Sequence, residues 1–339
     1  MEVSGRARIP GEESLRTSLC GMVRTAASPA AHRIVAVTPA GRRRYLELLK
    51  HYILKDTSID EWFLWDNCRD PLDREYINQL EVEHSKIKVI RRDHADGSNR
   101  SVNGFYASCA DESVFYIKVD DDIVYLPEEF GASLYANALN ERELFLWWSP
   151  LVINNAICSW LLKYHSDIHI PEHVSCQAGD SFGWKDPAFA EKLHKTFLSA
   201  VEANNARAFQ VAHFGVSLAR FSISCLGFFG EDVRRYGQQF CPADVDDEEW
   251  LSACLPSITG RPGRVVGNLT VSHFSFFTQE RELLCSRILD RYYRLAGLQP
   301  PQYEIENILF RKRLYAVRKR LVGARRRLYA VRERLFAVT

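Results

Sequence analysis

Three consecutive aspartates are the most chemically suggestive residues of the sequence. Asp120, Asp121 and Asp122 directly follow the strand-like run 115–119 and precede an apolar run, 123–126. Near a buried strand end, three adjacent carboxylates repel one another and are costly without a cation or hydrogen-bond donors. Carboxylates suit hard cations such as Mg²⁺ and Mn²⁺, which in turn bind substrate phosphates. The other interpretation is a solvated turn between the two strands of a hairpin, and the triplet alone does not separate the two.

Two later groups could take part in the same chemistry. The acidic group 244–249 contains Asp246 and Asp247 and leads into a helical pattern, whereas His273 lies among aromatic residues in the strand-like segment 271–277. Each group also has a plainer explanation. Acidic residues stabilise the first turn of a helix, and a lone histidine in such a place is more often a hydrogen-bonded core residue than a ligand.

Strands and helices alternate along the part of the chain that must position these residues. Such alternation is typical of βαβ units in a largely parallel sheet, where ligands bind beyond the carboxyl ends of the strands. That rule selects Thr38, Asp66, Arg91 and above all Asp120. The predicted strands are 33–38, 61–65, 87–90 and 114–119, and the predicted helices are 45–54, a stretch after Pro71, and 99–110.

Taken together and in this order, the three groups resemble the motifs of the GT-A fold family of nucleotide-sugar glycosyltransferases, over roughly residues 32–295. The aspartate triplet matches the DXD motif of that family. Asp246 and Asp247 match its xED motif with Asp in place of Glu, and His273 matches its C-terminal histidine. Gly227 stands where the family has a glycine loop. The resemblance implies an α/β fold of the GT-A-like, Rossmann type, with a mixed, mostly parallel sheet flanked by helices.

The resemblance also implies a role for each group. A divalent cation, Mn²⁺ or Mg²⁺, would be held by Asp120, Asp122 and His273. The general base would be Asp247 or Asp246, of which the family pattern favours Asp247, and a base opposite the leaving group implies inversion at the anomeric carbon. The residues predicted to bind the donor, from the resemblance and the strand ends together, are Thr38, Asp66, Asn67, Asn103, Asp120, Asp121 and Gly227.

These assignments predict a metal-dependent enzyme that moves a sugar from a nucleoside-diphosphate sugar to a hydroxyl group of a glycan or lipid-linked acceptor. Two other classes of protein are compatible with the same residues. A nucleotidyl or phosphoryl transferase could use the same carboxylates with a metal. A catalytically inactive GT-A-like module that tethers partners at a membrane would have the fold without the turnover.

Charge is divided unevenly along the chain. The 339 residues include 44 Lys and Arg against 43 Asp and Glu, yet residues 311–339 hold eleven basic residues and one acidic residue. Leucines recur every seven residues in this segment, with a broad apolar face beside a wholly basic one, which is typical of a helix on an anionic membrane surface. The alternatives are an acidic partner helix, nucleic acid, which is the least favoured partner, and a recently duplicated tail without a strong function.

The sequence therefore divides into a disordered leader, 1–31, a GT-A-like catalytic domain, 32–300, and a basic amphipathic helical tail, 301–339. It contains no run of about 18 apolar residues that could span a bilayer. Its nine scattered cysteines, without a CxxC pair, are typical of a reducing compartment. We expect a cytoplasmic protein that is peripheral at the cytosolic face of a membrane through 311–339.

Overall fold

One mixed sheet organises the part of the chain that the computed structural model describes, residues 32–93, 95–217 and 219–301. The strands of this sheet are β1 (Arg33–Ala40), β2 (Glu61–Asp66), β3 (Ile87–Ile90), β4 (Val114–Val119), β5 (Ile123–Tyr125), β6 (Trp147–Ile153), β7 (Phe214–Val216), β8 (Cys225–Phe229) and β9 (Gly263–His273).

Helices connect and cover the strands. They are α1 (Arg43–Lys55), α2 (Pro71–Glu83), α3 (Asn99–Asn103), α4 (Phe130–Asn140), α5 (Ala156–His165), α6 (Pro187–Glu202), α7 (Gly230–Tyr236), α8 (Asp247–Glu249), α9 (Leu255–Thr259), α10 (Glu280–Cys285) and α11 (Ile288–Leu295). Two π-helical turns, Ser181–Lys185 and Trp250–Cys254, and 3-10 helices at Gly104–Ser108, Ala206–Phe209 and Gly237–Gln239 complete the helical segments of the described residues.

The strand order is β3-β2-β1-β4-β8-β6-β9-β5, and β7 pairs with β9 off this path. The first four strands of that order are parallel to one another, and β6 is parallel to β9. β8 runs antiparallel to both of its neighbours, while β5 and β7 run antiparallel to β9. The sheet is thus mixed and mostly parallel, and the predicted GT-A-like, Rossmann-type fold class is confirmed.

The central strands are buried on both faces, as strands covered by helices on each side are. Every residue of β4 is buried, including Lys118, a charged side chain in an otherwise apolar run. At the start of α2, the Asp70 carboxylate accepts a hydrogen bond from the backbone N–H of Leu72 at 3.0 Å, and Pro71 is the first helical residue. Such a cap with proline at the first position explains why the helix begins there.

Three predicted elements differ from the structure. β1 continues beyond Thr38 to Ala40, because the residues after Thr38 keep their parallel register with the end of β2. The helix predicted over 99–110 is α3 followed by a 3-10 helix that begins at Gly104, a weak helix former. The glycine loop expected around Gly227 is instead the buried strand β8.

The predicted leader, 1–31, lies outside the described residues, and so does the predicted tail, apart from Pro301. Among the residues that are described, no helix is both long and apolar enough to cross a membrane.

Candidate active site

The aspartate triplet lies between β4 and β5, yet these two strands do not form a hairpin. β5 leaves β4 and pairs with β9, so that Ile123 lies opposite His273. Asp121 and Asp122 are only 4% and 3% exposed. The solvated hairpin turn that the sequence allowed is therefore wrong, and the triplet forms a largely buried acidic turn at the carboxyl end of β4.

The guanidinium group of Arg42 balances two of these carboxylates. Its Nε donates to Asp121 Oδ1 at 3.0 Å, and its Nη2 lies 2.9 Å from Asp122 Oδ2. The backbone N–H of Gly41 adds a hydrogen bond to Asp121 Oδ2 at 3.1 Å. Burial disfavours the ionised form of Asp122, but Arg42 and His273 outweigh burial and lower its pKa. Arg42, in the loop between β1 and α1, thus helps to hold Asp122 in its charged form.

Lys118 neutralises the remaining aspartate from inside β4. Its Nζ lies 2.6 Å from Asp120 Oδ1 and donates to the carbonyl oxygen of Ile223 at 2.8 Å. Burial raises the pKa of Asp120 to about 6, with the Lys118 ammonium opposing the rise. Burial also raises the pKa of Asp247, and Lys118 again opposes it. One buried ammonium therefore acts on two carboxylates that are far apart in the sequence.

His273 reaches the acidic turn from the end of β9. Its Nε2 lies 3.4 Å from Asp122 Oδ2, and its Nδ1 contacts the carbonyl oxygen of Asn154 at 3.3 Å. Burial opposes protonation of this imidazole, but Asp122 and Asp120 raise its pKa. The backbone N–H of Phe274 donates to the carbonyl oxygen of Asp122 at 2.8 Å, so β9 and the turn are joined through main chain and side chain alike.

Asp122 and His273 are the two predicted metal ligands that the fold brings into contact, and Asp122 Oδ2 is also paired with Arg42. A ligating histidine commonly has its second ring nitrogen oriented by a backbone carbonyl, as Asn154 orients Nδ1 here. Asp120, the third predicted ligand, has a carboxylate oxygen bound to Lys118 instead. Across the described ranges, no three Asp, Glu, His or Cys side chains converge as a group that could hold a metal. Two of the three predicted ligands are thus brought together.

The two acidic residues at the start of α8 have different surroundings. Asp246 caps the helix, because its carboxylate accepts from the backbone N–H of Glu249 at 2.9 Å, and it also lies 3.2 Å from Arg220 Nη2. Asp247, the next residue, lines a cavity of about 240 Å³ together with Asn99, Arg220 and Asp246 itself. Asp246 therefore holds the helix start as well as bordering the cavity, and Asp247 borders the same cavity under the influence of Lys118.

Asp66 and Asn67 lie at the carboxyl end of β2, as predicted, and each is tied to a nearby loop. The Asp66 carboxylate accepts from Arg74 Nε at 2.9 Å. Asn67 Nδ2 donates to the carbonyl oxygen of Ser98 at 3.1 Å, and its Oδ1 accepts from the Ser101 hydroxyl at 2.6 Å. The pair therefore shapes the rim where β2 meets the segment before α3.

Asn103 joins α3 to the segment that precedes the second acidic group. Its Nδ2 donates to the carbonyl oxygens of Pro242 and Val245, at 2.7 and 2.9 Å. The side chain is 1% exposed, and its Oδ1 has no hydrogen-bond partner among the described residues. Asn103 consequently fixes the chain that leads into Asp247.

Thr38 and Gly227 lie inside strands. Thr38 is fully buried, and its hydroxyl accepts from Trp62 Nε1 at 2.9 Å, so none of its atoms faces the cleft. A Cβ at Gly227 would lie 2.3 Å from Cζ of the Phe115 ring. The close approach of that ring is what requires glycine at this position of β8.

Arg42 and Lys118 were not predicted as residues of this site, although the sequence contains a signal for each. Lys118 is the charged residue in an otherwise apolar strand, directly before the aspartates. Arg42 begins a run of three arginines at the N-terminus of α1, where the helix dipole disfavours cations. A cationic helix start needs acidic neighbours, and Asp121, Asp122 and Glu280 supply them here.

The sequence matches no protein-family model and no curated protein sequence. Among solved structures, the chain is similar to mannosyltransferase PcManGT from Pyrobaculum calidifontis, in complex with GDP-Man and Mn²⁺, with a TM-score of 0.44 and 12% identity over 79% of this chain and 65% of that chain. This chain thus spans just under two thirds of that mannosyltransferase. S. aureus TarS 1–349 gives a TM-score of 0.41 and 12% identity over 79% and 67% of the two chains.

A third similar structure is 4-diphosphocytidyl-2C-methyl-D-erythritol synthase from Anaerococcus prevotii, with a TM-score of 0.41 and 12% identity over 76% of this chain and 95% of that chain. At these identities and scores, the likeness says nothing about function, which must be inferred from the site itself.

Proposed function

We propose that this protein transfers a sugar from a nucleoside-diphosphate sugar to a hydroxyl group of an acceptor. The observation that supports this most is the pair of acidic centres around Lys118. On one side is the turn with Asp120, where Asp122 and His273 suit a cation, and on the other is Asp247, which lines a cavity. A reaction that expels a diphosphate and deprotonates a hydroxyl needs one centre of each kind.

The donor would lie over the carboxyl ends of the parallel strands, where α/β sheets bind ligands. Asp66 and Asn67 at the end of β2 would border its nucleoside. A divalent cation, Mn²⁺ or Mg²⁺, held by Asp122 and His273 with Asp120 as the third predicted ligand, would neutralise the charge that develops on the departing diphosphate.

Asp247 would take the proton from the acceptor hydroxyl. Burial raises the pKa of this carboxyl, which makes it a stronger base than an exposed aspartate, and Lys118 keeps part of that rise in check. A general base in this role typically contributes about 10²–10⁴-fold to the rate. Since the base acts on the acceptor while the diphosphate leaves, the proposed outcome is single displacement with inversion at the anomeric carbon.

The acceptor would be a glycan or a lipid-linked molecule. Residues 311–339, whose sequence pattern predicts a helix with a basic and an apolar face, would hold the enzyme at an anionic membrane surface. We therefore place the protein in the cytoplasm, peripheral at the cytosolic face of a membrane.

The thermal stability of the full chain with UDP, GDP, dTDP and CMP, each with and without Mn²⁺, tests the donor site. One nucleotide should stabilise the protein only when Mn²⁺ is present. A ligand at 100 times its dissociation constant adds about 2.7 kcal/mol to the free energy of unfolding, which gives a readable shift. Asp122→Ala should abolish the shift, whereas Asp111→Ala, at the other end of β4, should retain it.

The measured quantity is the shift on adding nucleotide, so a lower baseline stability of Asp122→Ala does not affect the result. A folded protein that no nucleotide stabilises, with or without Mn²⁺, would favour the inactive binding module. If turnover releases pyrophosphate or inorganic phosphate instead of a nucleoside diphosphate, the nucleotidyl or phosphoryl transferase is the correct assignment.

A further inference from the structure

Three aromatic side chains that have no role in the proposed reaction form one surface. We call Trp184, Phe276 and Phe277 the aromatic rim. The ring centroids of Trp184 and Phe277 are 5.4 Å apart with their planes at 79°, and those of Trp184 and Phe276 are 6.4 Å apart. Phe277 is 78% exposed, which is unusual for a phenylalanine that only serves packing.

The aromatic rim lies next to the acidic turn. The ring of Phe276 packs edge-on against the imidazole of His273, with the centroids 4.8 Å apart. His273 in turn contacts Asp122. In the strand order, β9 lies on the opposite side of β4 from β2, which carries the predicted nucleoside contacts. The rim therefore lies on the opposite side of the acidic turn from the strand that carries the predicted nucleoside contacts.

Hydrogen bonds hold the aromatic rim rigidly. Asp180 caps the π-helical turn Ser181–Lys185, since its Oδ1 accepts from the backbone N–H groups of Phe182 and Gly183, both at 2.9 Å. The Thr278 hydroxyl donates to the carbonyl oxygen of Trp184 at 2.7 Å. A preorganised surface loses little conformational entropy when a ligand binds, which favours recognition.

The turn is also packed closely against α5. A Cβ at Gly183 would lie 2.6 Å from the Cα of Ala156, so a glycine is required where the turn beneath Trp184 meets α5. The Trp184 ring is thus carried by a turn that packs closely against α5 and is hydrogen-bonded to the loop with Phe277.

The surroundings of the aromatic rim favour a sugar over a lipid. Apart from Phe277, the large hydrophobic side chains that are exposed among the described residues lie on other elements, so the rim has no aliphatic fringe that could enter a bilayer. Lys185 lies beside it, with Nζ 5.7 Å from the centroid of the Trp184 ring. A pyranose ring has an apolar face of C–H groups that aromatic rings can cover, while its hydroxyls reach polar neighbours.

We propose that the aromatic rim binds a pyranose ring of a glycan acceptor, an inference that rests on the proposed glycosyl transfer. The acceptor sugar stacks against Trp184 and Phe277. Its reacting hydroxyl then points from the β9 side toward the cleft between the acidic turn and Asp247. The substrate class is therefore a carbohydrate chain, and a lipid-linked acceptor is one that offers a sugar ring at this surface.

Saturation-transfer NMR of the full chain with maltotriose, cellotriose, mannotriose, galactotriose and chitotriose tests this inference. At least one of these should bind the unmodified protein. Trp184→Ala and Phe277→Ala should each weaken that binding about tenfold, the loss expected for a central aromatic contact, and Trp184→Phe should retain most of it. The nucleotide-dependent thermal shift should be unchanged in all three variants.

Tyr164→Ala is the matched control. Tyr164 is 50% exposed and has Lys163 Nζ 5.6 Å from its ring centroid, much as Trp184 has Lys185, but it lies in the last turn of α5. Its replacement should leave oligosaccharide binding intact. A protein that binds none of the five sugars, or one whose binding survives both rim substitutions, would overturn the inference. The inference would also be wrong if Trp184→Ala lost its binding to phosphatidylserine vesicles and kept its binding to the sugar.

A failure of the proposed donor site and a failure of the proposed sugar site give different combinations of results. If no nucleotide stabilises the protein but an oligosaccharide binds in a Trp184-dependent way, the aromatic rim is a carbohydrate site and the proposed transferase is wrong. If a nucleotide with Mn²⁺ stabilises the protein while all five sugars fail, the transferase stands and the inference on its acceptor falls.

Discussion

At the scale of single residues, the adjacent aspartates Asp246 and Asp247 are proposed to have separate tasks. Asp247→Asn should lower kcat about 10²–10⁴-fold, because a neutral amide cannot accept the acceptor proton. The dissociation constant of the donor should stay the same. Release of nucleoside diphosphate at saturating donor and a donor titration measure the two quantities.

Asp246→Asn is the control, since Asp246 caps α8 and pairs with Arg220. It should retain most turnover and nearly all of the free energy of unfolding, since asparagine caps a helix about as well as aspartate and an exposed ion pair contributes at most about 1 kcal/mol. The opposite pattern, with turnover lost only in Asp246→Asn, would assign the base to Asp246.

The pH dependence of the reaction gives a further check. Because burial raises the pKa of Asp247, the apparent pKa of the acidic limb of the kcat/KM profile should lie above the ordinary range for aspartate.

The residues of this site were predictable where the groups that could do chemistry lie close together in the sequence. The aspartate triplet, the acidic group with Asp247 and the aromatic segment with His273 are each visible as local runs. Arg42 and Lys118 were not predicted, because their importance comes from ion pairs with residues that only folding brings near. A pattern of residue types shows that a lysine lies in a strand, but it does not show which carboxylate will neutralise that lysine.

At the scale of elements, β8 requires glycine at one position. Gly227→Ala should lower the free energy of unfolding by about 1–3 kcal/mol, since its Cβ would lie 2.3 Å from Cζ of Phe115, a fully buried ring without room to move. Urea titration measures the change. Gly179→Ala is the control, because a Cβ there meets nothing within 4 Å. Equal stability of the two variants would contradict this account of β8.

His194 ties α6 to β9 and α11 through a buried hydrogen-bond network. Its Nε2 lies 2.8 Å from the carbonyl oxygen of Phe274, and its Nδ1 lies 2.7 Å from the hydroxyl of Tyr292, which itself lies 2.8 Å from the Ser272 hydroxyl. Because a carbonyl only accepts, Nε2 carries the proton and Nδ1 accepts from Tyr292. Burial lowers the pKa of His194 from 6.5 to about 4, so the imidazole is neutral in the folded protein at neutral pH.

A histidine whose pKa falls on folding takes up a proton more readily when the protein unfolds. The free energy of unfolding should therefore decrease as the pH falls through 6.5 and should have lost about 3 kcal/mol from this residue by about pH 4. Urea titrations between pH 7 and pH 4 measure this slope. His194→Gln should flatten it in that window, and an unchanged slope in the variant would mean that other groups cause the acid sensitivity.

Helices and strands were predicted from the period of hydrophobic residues and from turn residues. The predictions were wrong where contacts with distant parts of the chain determine the local structure. β2, β3 and β4 fall close to their predicted ranges because each apolar run has clear turn signals beside it. For the segment with Gly227, the resemblance to the GT-A family predicts a glycine loop. In the fold it pairs between β4 and β6 in the middle of the sheet, and the reason for glycine is a ring on a neighbouring strand.

At the scale of the whole molecule, the charge of residues 311–339 should direct where the protein lies. The full chain should bind phosphatidylserine vesicles and should bind pure phosphatidylcholine vesicles weakly, since each basic residue near an anionic surface contributes on the order of 1 kcal/mol. A variant that ends at residue 310 should bind the two kinds of vesicle equally weakly. Cosedimentation with vesicles measures binding, and added salt should weaken it through screening. Equal binding to both lipids would favour the acidic partner helix predicted as an alternative.

The order of strands in the sheet also determines how long β4 lacks one of its neighbours while the chain is being synthesised. β4 lies at the centre of the finished sheet, yet its neighbour β8 comes about a hundred residues later in the chain. At roughly 5–20 residues per second, a ribosome needs about 5–20 s to make that stretch. Throughout this interval one edge of an apolar strand has no partner and can pair with another chain. A cell that makes this protein must therefore shield the unfinished sheet until its second half emerges.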